Sequence, residues 1–228
     1  SYNLAKVHLH STNLYKSLEK ETGQATGWHG CGSLRLAYKQ EDLDWFFYVK
    51  GILDNVGAPA EIISTNEIPK IHPFIKLDGI IGGFYTLEDG HTDPTSTTNA
   101  MAKGARDCGA KIYRNNRVID IKARSSGEWE IITERGNIVC EHVVNAAGSF
   151  CPEVSQMVGI KNVPSINMIH HYLVTDEHPE IKKLTKELPV VRDPISSCYL
   201  RQEGKGLLIG IYEKNSKCWA LDGMDWKF

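Results

Sequence analysis

The sequence predicts a mixed α/β fold, parallel α/β in one part and α+β in the other, and three observations lead there. Residues 141–150, Glu-His-Val-Val-Asn-Ala-Ala-Gly-Ser-Phe, read as a buried parallel strand from Val143 to Ala147 that runs into Gly148 and then a short helix from Pro152 to Gly159. Three alternating segments, 116–122, 128–133 and 138–140, are separated by the turns Ser125-Ser126-Gly127 and Glu134-Arg135-Gly136-Asn137, and form a β-meander feeding that strand. Beyond Gly159, short β-rich runs at 167–175, 188–191, 198–202 and 207–212 have an antiparallel look.

Taken in order, Leu4, Val7, Ser11, Leu14 and Leu18 recur at three- and four-residue steps, which is one face of a helix over 3–20 that Gly23 closes. A strand follows over 28–38 with Leu34, Leu36 and Tyr38 on one side, then an aromatic-rich helix over 41–56 ended by Gly57-Ala58-Pro59. Trp45, Phe46 and Phe47 on that helix are expected in core packing. A short helix over 66–72 stops at Pro73, and a glycine-containing strand occupies 79–86. Asp93-Pro94 starts the next helix, an acid at the N-cap followed by proline in the first turn, and Ala100, Gly104 and Cys108 give it a small face before Gly109. A polar helix over 179–186 separates the first two strands of the last region, and Gly204-Lys205-Gly206 reads as a hairpin turn between the last two.

Composition narrows the function classes. With 228 residues and 41% hydrophobic content the chain can bury a sizeable core, and a net charge of −2 without a basic stripe speaks against a nucleic-acid partner. No apolar run reaches the roughly 18 residues that a membrane helix needs, so no membrane partner is expected. Cysteines at 31, 108, 140, 151, 198 and 218 lack C-x-x-C spacing and are read as reduced thiols. The pairs His8/His10, His29/Cys31 and His170/His171 lack the three or four spaced ligands of a zinc site, so no metal is expected.

The chain resembles the dimethylglycine and sarcosine dehydrogenases, amine oxidoreductases built on a glutathione-reductase-type FAD domain, and the likeness runs nearly end to end. It is carried by Glu21-Thr22-Gly23, by 32–37 (Gly-Ser-Leu-Arg-Leu-Ala), by 89–94 (Asp-Gly-His-Thr-Asp-Pro), by Asn145-Ala146-Ala147-Gly148, by His170-His171-Tyr172, and by 199–213 from Tyr199 to Glu213. No single motif is specific, but their shared order is. The resemblance implies part of an FAD-binding lobe over 1–20 and 94–160, interleaved with an antiparallel-sheet substrate lobe over 21–93 and 161–228. The G-x-G-x-x-G fingerprint that cradles the pyrophosphate is absent from the sequence, so the chain is expected to be an internal piece of a longer enzyme. In the family that fingerprint lies upstream, and a folate-binding module lies downstream.

For function, the resemblance implies oxidation of an N-methyl amino acid with FAD as acceptor. Tyr172, His170 and His91 are the expected catalytic residues: Tyr172 and His170 match the family's H-x-Y motif, and His91 matches the dimethylglycine-type form of D-G-H-x-D-P. Arg201, Tyr199 and Tyr212 are expected to bind substrate, since arginine grips a carboxylate with two parallel bonds and tyrosine faces hold a methylated ammonium. Arg201 and His170 each lie two residues from a tyrosine and are expected on its side of a strand; the structural alternative for Arg201 is pairing with Glu203 or Glu213. Val118, Ala146, Ala147 and Gly148 are expected to contact FAD. The remaining implications are tetrahydrofolate as a further cofactor, an electron-transfer flavoprotein as partner, and a mitochondrial matrix or bacterial cytoplasmic location. The alternatives are a non-catalytic regulatory subunit on the same scaffold and an FAD-dependent amine oxidase.

Overall fold

Helix α1 (Tyr2–Thr22) stops at Gly23, whose φ of 68° places it in the left-handed region while its N–H returns to the Glu19 carbonyl. The structure, a computed structural model, describes residues 1–227. Two compact units are present, residues 1–111 with 171–213 and residues 112–170 with 214–228. Helices α1 and α4 (Pro94–Asp107), which the sequence groups with the meander, are in the first unit, and 161–170 and 214–228 are in the second.

The first unit is built on a seven-stranded sheet in the order β2 (Ala60–Ile63), β3 (Gly82–Thr86), β1 (Ser33–Ala37), β9 (Val190–Asp193), β10 (Cys198–Glu203), β11 (Gly206–Ile211) and β8 (His171–Val174). Every neighbouring pair is antiparallel except β1 with β9, so the sheet is mixed. On one face Leu34, Leu36, Ile63 and Val191 form a core with Ile68 of the short helix α3 (Ile68–Ile71) and with Ile80. On the other face Ala37, Ala60 and Phe84 receive Phe46 of helix α2 (Gln40–Val56), whose ring centroid is 5.3 Å from that of Phe84. Phe46 is 2% exposed, and burying a ring of that size contributes about 1.5–3 kcal/mol.

The helix starts follow the local chemistry. Asp42 accepts hydrogen bonds from the Tyr38 and Lys39 N–H groups at 3.0 and 3.2 Å and so caps α2. Asp93 accepts from the Ser96 N–H at 2.7 Å ahead of Pro94 in α4, as the sequence predicts. The polar helix is short, α6 (Pro179–Lys182).

The second unit holds the meander β4 (Val118–Ala123), β5 (Trp129–Thr133) and β6 (Gly136–Cys140), fully antiparallel in that order. A two-residue pair, β7 (Asn167–Met168) with β12 (Cys218–Trp219), completes its strands. A 3-10 turn (Gly148–Phe150) leads into α5 (Cys151–Gln156).

Two strand expectations are corrected. Residues 143–147 are not a strand: Ala147 has φ −79° and ψ 8°, and Val144 is 87% exposed. A strand exists only as a hydrogen-bonded ladder, and no described strand pairs with this segment. The predicted strand over 167–175 is two strands in different sheets, with 169–170 between them.

Candidate functional site

Strand register aligns side chains across the first unit's sheet. Arg35 pairs with Arg192, Arg192 with Tyr199, Tyr199 with Gly210, and Gly210 with Tyr172. Directly paired residues share a face, so this row occupies the face that α2 covers further along at Phe84. The Tyr199 ring lies over Gly210: a Cβ at that glycine would come within 2.2 Å of the ring. The Tyr212 ring sits 5.7 Å from that of Tyr199 at 53°. Tyr172, on the edge strand, is 64% exposed. The structure therefore puts Tyr199 and Tyr172 on one row of the sheet, on either side of Gly210, and brings Tyr212, just past β11, against Tyr199.

Arg201 lies two residues along β10 from Tyr199, on the same face. Its guanidinium donates to the Gln202 carbonyl at 3.2 Å and pairs with the Glu203 carboxylate at 2.6 Å. The pairing weighed as its structural role is thus present. His170 differs from expectation. It precedes β8, in the second unit, so strand alternation does not place it beside Tyr172.

His91 is held by backbone. Its N–H and carbonyl exchange hydrogen bonds with those of His29 at 3.1 and 2.8 Å, and the two imidazoles stack with centroids 4.7 Å apart and planes 10° from parallel. Glu187 receives both rings, its Oε1 at 3.1 Å from His91 Nε2 and its Oε2 at 2.7 Å from His29 Nδ1. Burial lowers the His91 pKa, the Glu187 hydrogen bond opposes that shift, and the Arg201 charge adds to it. The ring is therefore neutral at neutral pH. His29, His91, Glu187 and Arg201 line one cavity of about 340 Å³.

In the second unit, Asn145 fastens the small-residue turn. Its Nδ2 donates to the Cys151 carbonyl and to Ser155 Oγ, both at 2.9 Å, and its Oδ1 accepts the Ala147 N–H at 3.2 Å. Gly148 has φ 57°, and a Cβ added there would meet nothing within 4 Å. With Ala146 and Gly148 exposed, this edge is bare backbone that a flat ring can approach closely. Val118 opens β4 opposite Thr133, beside an irregularity in the ladder.

Sequence reasoning missed Glu187 and the pairing of His29 with His91. The three come from segments far apart in the chain, and the only local sign was Gly90, where a Cβ would lie 2.0 Å from the His29 carbonyl oxygen.

The sequence profile of the FAD dependent oxidoreductase family matches residues 1–226. Human mitochondrial dimethylglycine dehydrogenase is 40% identical over 227 residues, covering 97% of this chain and 26% of its own length. Mouse mitochondrial sarcosine dehydrogenase is 32% identical, covering 90% of this chain and 22% of its own length. The mouse mitochondrial pyruvate dehydrogenase phosphatase regulatory subunit is 31% identical, covering 93% of this chain and 24% of its own length. The chain thus spans about a quarter of the length of these curated relatives. Among solved structures, L-proline dehydrogenase from P. horikoshii superposes with a TM-score of 0.78 at 27% identity, over 92% of this chain and 56% of that one.

Proposed function

The chain belongs to the FAD dependent oxidoreductase family, and from that membership we propose that it is the central part of a dehydrogenase oxidising an N-methyl amino acid, dimethylglycine- or sarcosine-like. The observation that carries the substrate class is the 40% identity to a dimethylglycine dehydrogenase across 97% of the chain.

In this reading bound FAD supplies the acceptor for two electrons and a hydrogen from the C–H beside nitrogen. The chain's own residues bind and orient the amine. The faces of Tyr172, Tyr199 and Tyr212 hold the methylated ammonium, each such contact contributing about 0.5–2 kcal/mol. Arg201 takes the substrate carboxylate, sharing its guanidinium with Glu203. His91, donating from Nε2 to Glu187, presents Nδ1 to accept the ammonium proton. His170 is retained as a candidate through the H-x-Y likeness alone. Val118, Ala146, Ala147 and Gly148 would hold FAD, and the bare edge at 146–148 fits a flat ring. Electrons leave to an electron-transfer flavoprotein, and the released carbon goes to water as formaldehyde or to tetrahydrofolate. Mitochondrial relatives favour a mitochondrial matrix location; a bacterial cytoplasm is the other.

A dye-linked assay of the flavin-loaded protein tests the proposal. Dimethylglycine or sarcosine is expected to yield one formaldehyde for each two electrons passed to the dye. Arg201→Met is expected to raise KM about tenfold or more, with a smaller change in kcat, as loss of ground-state binding requires. Oxygen consumption without added dye would move the protein to the amine oxidases. The regulatory reading is favoured by one observation, the 31% identity to a phosphatase regulatory subunit, and an absence of turnover with every N-methyl amino acid would select it.

A further inference from the structure

We infer that His29, His91 and Glu187 form a binding site for a borderline divalent cation of the zinc type. Two imidazoles and one carboxylate are a donor set that such ions accept. One ligand atom from each residue lies within 4.8 Å of the others. Two ligands each about 2.1 Å from a common ion at the tetrahedral angle sit about 3.4 Å from each other. The Glu187 oxygens stand 2.7 and 3.1 Å from the two imidazole nitrogens, so each pair opens by a few tenths of an ångström to take an ion between them.

The site is built rather than incidental. His29 and His91 are fixed opposite each other by reciprocal backbone hydrogen bonds of 2.8 and 3.1 Å. That close approach requires Gly90, because a Cβ there would lie 2.0 Å from the His29 carbonyl oxygen. Glu187 arrives from a third segment, and all three side chains line a cavity of about 340 Å³ that leaves room for a further ligand such as water. The rings are stacked, so one must turn to aim its nitrogen at the ion. The His29 side chain is half exposed and turns toward solvent rather than into core. An entering ion takes the two ring nitrogens that now face Glu187, so each neutral imidazole carries its proton on the other ring nitrogen when the ion is bound. All three ligands belong to the first unit and need no FAD; an ion on His91 Nε2 replaces the proton-accepting role given to that ring above.

Cobalt(II) tests it directly on the 228-residue chain, because its visible bands intensify when water ligands give way to a low-symmetry protein site. The expected result is saturation at one Co²⁺ per chain, with Zn²⁺ abolishing the bands and Mg²⁺ or Ca²⁺ in large excess leaving them unchanged. His29→Ala and Glu187→Gln are each expected to weaken binding on the order of a hundredfold, at the upper end of what a lost supporting contact costs, with the circular dichroism spectrum unchanged. Bands that persist in both variants would place the ion elsewhere, at His8 and His10 for example, and overturn the assignment. So would a folded wild-type chain that shows no Co²⁺ spectrum.

Discussion

His72→Leu is expected to stabilise the first unit and to remove most of its loss of stability between pH 6.5 and pH 4. His72 is 2% exposed, follows α3 with its N–H on the Ile68 carbonyl, and meets Phe74 edge to face at 6.1 Å. Neither ring nitrogen has a hydrogen-bond partner among the described residues. Burial pushes its pKa down to about 4, against an ordinary value of 6.5. Between those values the unfolded chain takes up a proton that the folded chain refuses, so stability rises with pH across the window. The contribution is complete above pH 6.5 and lost as pH falls toward 4, an effect of about 3 kcal/mol. Leucine keeps the volume and removes two unpartnered polar atoms, which is worth about 1–3 kcal/mol at neutral pH. Urea denaturation of both proteins at pH 7, 5.5 and 4 reads the two effects together. The residual slope of the variant belongs to His91 and, toward pH 4, to the hydrogen-bonded carboxylates Glu67, Glu180 and Asp93, whose pKa values are also lowered. Parallel pH profiles for the two proteins would show that the buried ring is protonated as readily folded as unfolded.

Gly90→Ala is expected to open the His29–His91 bridge. The new Cβ would lie 2.0 Å from the His29 carbonyl oxygen and 2.9 Å from its carbon, both backbone atoms that no rotamer change can move. The strain of such overpacking is about 1–3 kcal/mol, and both imidazoles leave Glu187. The His91 pKa, now lowered chiefly by burial, then moves back up toward the ordinary imidazole value, which proton NMR titration of the ring resonances reads. Gly51→Ala is the control: it lies in α2, where a Cβ meets nothing within 4 Å, and alanine there is worth about 0.5–1 kcal/mol of added stability. Equal midpoints for Gly90→Ala and wild type in chemical denaturation would mean that the bridge is not needed.

What the sequence made legible was local. The meander was readable because three alternating segments are joined by turns rich in glycine and small polar residues, and α4 because Asp93 and Pro94 state its start. The hairpin at Gly204 was readable for the same reason; that glycine has φ 56°. The segment 143–147 was misread because Val143-Val144 followed by small residues has a strand's composition, while strand formation depends on a partner that composition does not reveal. Strand β2 went unseen because Ala60-Glu61-Ile62-Ile63 is too short to show a period. In the site, Tyr199 and Arg201 were placed together by the two-residue repeat of a strand, whereas His170 lost that relation when β7 and β8 separated. The cluster of His29, His91 and Glu187 had no sequence signal, since 62 and 96 positions of chain separate its members and only backbone pairing brings them together.

On the proposed function, an N-methyl amino acid bound on the tyrosine face of the first unit's sheet delivers its electrons to FAD. Anaerobic titration of the flavin-loaded protein with N,N-dimethylglycine tests it most directly. Dimethylglycine is expected to bleach the oxidised flavin absorption completely, and bleaching is expected to slow by about two- to thirtyfold in Tyr172→Ala at subsaturating substrate, the rate equivalent of about 0.5–2 kcal/mol. A flavin that dithionite bleaches but that neither dimethylglycine nor sarcosine reduces would contradict it.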